Sequence, residues 1–154
     1  MLAATGCASA PGGPTRDPAD VSAAYVGGRN VPSHGVALEG WCPVSYRERG
    51  GPRRGSPQFT AGHLGATYWF SSAAAKEAFL LDPERYVPAF GGWCAYGMAV
   101  QDKFPVDPLR WKIVDDRLLV FLRNGHVDAL SLWDAGDERA LLARAEAHWR
   151  HVRD

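Results

Sequence analysis

The chain has 154 residues, of which 46% are hydrophobic and 22% charged, which suits one globular domain with its own core. Lys plus Arg and Asp plus Glu each number 17, so the formal charge is zero. There is no basic stripe to point to nucleic acid, and no apolar run long enough to span a bilayer.

In chain order, Met1-Leu2-Ala3-Ala4-Thr5-Gly6-Cys7-Ala8-Ser9 looks like the end of a bacterial lipoprotein signal, with small residues ahead of a cysteine. A Pro-, Gly-, Ala- and Asp-rich stretch follows and reads as a tether, with a short helical turn possible over Ala19–Tyr25. Cys7 is thus the candidate lipidation site. On this reading the protein is exported, periplasmic or membrane-anchored, and meets the membrane only through that lipid. Residues 1–33 are assigned to signal remnant and linker, and 34–154 to the folded domain.

Within the domain, Val36-Ala37-Leu38 reads as a short strand leading to the first of two cysteine segments. Strands are expected over Phe59–His63 and Ala66–Phe70, joined around Gly65. Ser71-Ser72 offers an N-cap for a helix over Ala73–Leu81, which Asp82-Pro83 closes because proline disfavours helical backbone in the residue before it. Glu84-Arg85-Tyr86 suggests one more turn, and Val87–Met98 a Gly- and aromatic-rich loop. Trp111–Val114 and Arg117–Leu122 flank Asp115-Asp116 as a hairpin. The last helix begins near Asp134 or Asp137 and carries Leu141, Ala145 and Trp149 on one face. No internal repeat is evident. The expected class is α+β: one domain with a small antiparallel sheet and two covering helices.

The chemistry concentrates in Gly40-Trp41-Cys42-Pro43-Val44-Ser45-Tyr46 and Gly91-Gly92-Trp93-Cys94-Ala95-Tyr96-Gly97. If folding joins the two cysteines, they make either a soft-metal site or a disulfide. Thiolates select copper or zinc over magnesium or calcium, and His63, His34 and Met98 are possible further ligands. A disulfide suits an exported protein, and closing so long a loop is worth roughly 4 kcal/mol in the chain-entropy model. Two buried free thiols packed as small hydrophobes are the third possibility. Thiol–disulfide catalysis would need a resolving cysteine at position 45, which is Ser45. Gly-x-Ser-x-Gly, P-loop and dinucleotide fingerprints are missing, so no enzyme is expected.

The same segments resemble the YHS domain family, in particular its small exported bacterial members. The resemblance runs through Gly40–Tyr46, Gly55–Phe59, Gly65–Phe70, Ala78-Phe79, Asp82–Pro88, Gly91–Gly97, Asp107-Pro108 to Trp111, and Ala147-His148-Trp149. Cys42 stands where many exported members carry aspartate. The resemblance implies a YHS-like domain and, through relatives fused to copper-transporting ATPases and oxygenase components, metal binding. The expectation is a non-enzymatic copper- or zinc-handling protein outside the cytoplasm, with Cys42 and Cys94 as donors and His63 and Met98 as added ligands. The alternative is a disulfide-stapled accessory or interaction domain without a metal. A protein partner fits either, and nucleic acid fits neither.

Overall fold

The computed structural model describes residues 28–32 and 34–153. The Cys7 site and the turn expected over Ala19–Tyr25 lie outside these residues. The described chain is α+β, but its strands form two separate two-stranded antiparallel sheets and its helices number five. The single sheet with two covering helices expected from sequence is corrected accordingly.

The first sheet pairs β1 (Ser56–His63) with β2 (Ala66–Phe70). Leu64 and Gly65 turn the chain between them with φ of 49° and 82°, the left-handed pair whose twist matches that of the flanking strands. Ser72 then caps α1 (Ala73–Leu81), its hydroxyl accepting from Ala75 N at 3.1 Å. After Asp82-Pro83 breaks the helix, α2 (Pro83–Tyr86) adds one turn. The second sheet pairs β3 (Asp107–Val114) with β4 (Arg117–Phe121) around Asp115 and Asp116, at φ of 49° and 59°. Two helices complete the fold, α4 (Ala129–Ala135) and α5 (Glu138–Val152), the latter capped by Asp137.

Two local expectations are corrected and one helix is added. Val36 makes only an isolated bridge to Thr67, and Ala37–Gly40 is a 3-10 turn rather than a strand. The loop expected over Val87–Met98 contains a matching 3-10 turn, Ala89–Gly92, and the start of a short helix, α3 (Ala95–Ala99). The helix α4 was not foreseen.

The largest correction concerns repetition, because the two halves of the domain follow one plan. Val36 bridges in parallel to Thr67, the second residue of β2, and Pro88 bridges in parallel to Leu118, the second residue of β4. Three left-handed residues come next: Leu38, Glu39 and Gly40 at φ 52°, 52° and 83°, and Phe90, Gly91 and Gly92 at 54°, 62° and 82°. The amide that closes the turn belongs to Trp41 in one half, bonding Leu38 O, and to Trp93 in the other, bonding Phe90 O. A cysteine then heads a helical segment, Cys42 before Pro43–Arg47 and Cys94 before α3. Each half continues into an eight-residue strand, a two-residue turn and a five-residue strand. Even the irregularity recurs, between Ser56 and Thr60 in β1 and between Asp107 and Trp111 in β3.

Each half builds its own core. The N-terminal core gathers Cys42, Tyr46, Tyr68, Phe70 and Phe79, and the C-terminal core gathers Trp93, Cys94, Met98, Phe121 and Trp133. The strand β4 serves both: Leu118 and Val120 belong to the first, and Leu119 and Phe121 to the second. This is the period-two alternation of a strand buried on two faces. Arg47 adds a polar tie, donating to Arg85 O of α2 and to Asp116 in the β3–β4 turn. Residues 28–32 also pack on the body: Gly28 O accepts from Trp93 Nε1 at 2.7 Å, Asn30 N donates to Gly91 O at 2.8 Å, and Val31 is buried in the N-terminal core.

Candidate functional site

Three consecutive left-handed residues turn the chain sharply, and the turn delivers a Trp-Cys pair to the start of a helical segment. At Gly40 the backbone must also admit Trp69, since a Cβ there would lie 2.8 Å from the Trp69 ring. Both cysteines leave the turn in extended backbone, with φ/ψ of −69°/117° at Cys42 and −55°/121° at Cys94. Both side chains have no solvent exposure. Both are free thiols.

Their surroundings differ in detail. The Cys94 sulfur accepts from Gly97 N at 3.4 Å, capping α3, and from Leu122 N at 3.2 Å, at the end of β4. Burial pushes the Cys94 thiol up, against the pull of the Leu122, Gly97 and Tyr96 backbone donors. Around Cys42 the main chain does more of the work. Its N–H donates to Arg53 O at 2.9 Å, and its carbonyl accepts from the Ser45 hydroxyl at 2.7 Å. The Ser45 oxygen in turn accepts from Arg53 N at 2.8 Å. Among the described residues the Cys42 sulfur accepts one hydrogen bond, from the Ser71 hydroxyl at 3.7 Å.

The remaining candidates fall as follows. Met98 lies one helical turn after Cys94 in the same core, without exposure. His63 ends β1 and is partly buried: its side chain is 21% exposed, its Nε2 lies 2.7 Å from Glu84 Oε1, and its ring meets the Phe79 ring edge-on at 6.1 Å between centroids. His34 is exposed and accepts from Val36 N at 3.3 Å. Thus Cys94 and Met98 share one core, while Cys42 sits in the other. Among the described residues, no group of three or more His, Cys, Asp or Glu side chains is placed to hold a metal ion.

The flanking tryptophans also diverge. Trp93 is buried over its core with its indole N–H satisfied by Gly28 O, while Trp41 is half-buried beneath the Arg54 guanidinium, 4.8 Å from the ring centroid. Ser45, which enters from sequence only as the residue in place of a resolving cysteine, is the buried hydroxyl that fixes the first turn. Its signal was position, three residues after Cys42 and inside a Pro-led helical turn, where a short hydroxyl readily bonds local backbone. Searches of family models, curated proteins and solved structures return no match for this chain.

Proposed function

We propose that this chain is a non-enzymatic accessory domain that acts by binding, in which Cys42 and Cys94 are structural thiols. The observation that carries the reading is the fate of the two sulfurs. Each is fully buried, each sits at the same point of its own repeat, and each is used within its own core. A shared copper or zinc ion would have to draw one donor from each core. That division weighs against a common ion, and full burial shields both thiols from oxidants. The ordered motifs from Gly40 to Trp149 support a YHS-like domain, and the Cys7 segment supports a location outside the cytoplasm.

A soft-metal reading keeps one observation in its favour: Cys94 and Met98, a thiol and a thioether, share a core one helical turn apart. Native mass spectrometry with one equivalent of Cu(I), and separately of Zn(II), under anaerobic reducing conditions decides between them. The accessory-domain reading expects the apo mass to persist after desalting. Retention of one ion, lost in Cys94→Ser or in Cys42→Ser, would overturn it.

A further inference from the structure

The second left-handed turn does more than deliver Cys94. Gly91 is clamped on two sides: a Cβ there would lie 2.7 Å from the Trp149 ring and 3.3 Å from Arg29 Cα. Only a glycine lets the 28–32 segment and α5 close on the turn together, and Asn30 reinforces the contact by bonding Gly91 O and Gly92 O. The result is a groove of about 420 Å³ between the turn, the end of α2 and α5, within the size range of small-molecule sites.

One wall is apolar, formed by Val87, Phe90 and Trp149, and the rim is charged. Its two acids are already engaged, Glu146 with Arg117 at 2.6 Å and Glu84 with His63 at 2.7 Å. Arg29 and Arg150 also line the groove, and neither guanidinium has an ion-pair or hydrogen-bond partner among the described residues. Two guanidinium groups without carboxylates, beside an indole face, match an anion that carries an apolar body. The turn itself is costly backbone, with Phe90, a residue with a side chain, held at φ 54°.

We propose that this groove binds a small organic carboxylate, with the carboxylate between Arg29 and Arg150 and the apolar body against Trp149. The proposal rests on the accessory-domain reading and gives that domain a ligand class. The test is calorimetric titration of the full-length chain with 3-phenylpropionate, with its amide 3-phenylpropanamide as the uncharged comparison. The acid is expected to bind at one site with a Kd of about 0.1–1 mM, roughly tenfold tighter than the amide. Arg29→Gln and Arg150→Gln should each weaken the acid by roughly fivefold and leave the amide unchanged. Arg144→Gln, on the same helix but outside the groove, should leave both unchanged. Failure of the acid to saturate by about 10 mM, equal binding of acid and amide, or equal weakening by Arg144→Gln would each overturn the proposal. The metal experiment reads the cysteines and this one reads the groove, so the accessory-domain reading and the ligand assignment can fail separately.

Discussion

The N-terminal and C-terminal halves of this domain use one backbone plan and fill it with different chemistry. In the N-terminal half the left-handed turn is Leu38-Glu39-Gly40, Pro43 starts a 3-10 helix, and Ser45 fastens the cysteine through its main chain. In the C-terminal half the turn is Phe90-Gly91-Gly92, an α-helix follows, and the sulfur of Cys94 itself accepts the backbone amides. The strands differ as well. In β2, buried and partly buried residues alternate, as in a strand with one face on a core, whereas β4 is buried continuously from Leu118 to Phe121 because two cores meet on it. The repeated element is thus a backbone path, and β4, shared by both cores, should make the two halves unfold as one.

The largest test of that statement is a matched pair. Phe70 and Phe121 end equivalent strands, one against Phe79 at 5.0 Å between centroids and the other against Trp133 at 5.5 Å. Truncating either to alanine should cost about 3–5 kcal/mol. Urea unfolding of each variant should remain a single transition, and two separated transitions would show that the halves fold independently.

The cysteines give the next contrast. Cys94→Ala strands the Leu122 and Gly97 amides in the C-terminal core and should cost about 1–3 kcal/mol. Cys42→Ala releases only the hydroxyl of Ser71, which is partly exposed and can turn to water, so its cost should be nearer about 1 kcal/mol. Denaturant midpoints at pH 7 that reverse this order would contradict the assigned roles.

Alkali sharpens the comparison further. Tyr68, in the N-terminal core, has its phenol pushed up to about 12 by burial. Tyr46 in the same core is raised as well, mainly by burial, with its hydroxyl donating to Pro108 O at 2.8 Å. A phenol raised in the folded state keeps its proton where the unfolded chain has lost it. Stability is therefore full below pH about 10 and falls as pH rises towards 12, by on the order of 2 kcal/mol for Tyr68. Stability measured from pH 9 to 12 should fall along that course, and Tyr68→Phe should remove part of the fall. An identical slope in the variant would show that Tyr68 ionises freely in the folded protein.

The smallest effect belongs to the surface of the C-terminal half, where Lys112 of β3 reaches Asp134 of α4 at 2.9 Å and also Glu138 of α5. Lys112→Ala should cost less than about 1 kcal/mol, and less still in high salt. A larger, salt-independent loss would mean that this contact orients α4 and α5 on the sheet.

Much of the local structure was legible from sequence. Tyr68-Trp69-Phe70 and the Trp111–Leu122 stretch announce strands, Ser72 and Asp82-Pro83 bracket α1 by capping and proline sterics, and the Leu141, Ala145 and Trp149 spacing marks the buried stripe of α5. The repeat was not legible, because little besides Gly-Trp-Cys is shared. The left-handed turn is carried by Leu and Glu in one half and by Phe and Gly in the other, and Leu38 and Glu39 carry no side-chain signature for positive φ. The division of the cysteines was hidden for the same reason. Spacing along the chain leaves open a meeting of the two thiols, and only the double use of β4 determines that each enters a different core.

The state of those two thiols is read most directly by alkylation with peptide mapping on protein purified without reductant. Peptides containing Cys42 and Cys94 should stay unmodified in the native protein and be fully alkylated, separately, once it is unfolded in denaturant. Recovery of a single cross-linked peptide joining Cys42 to Cys94, or ready labelling of either in the folded state, would contradict the assignment of one shielded thiol to each core.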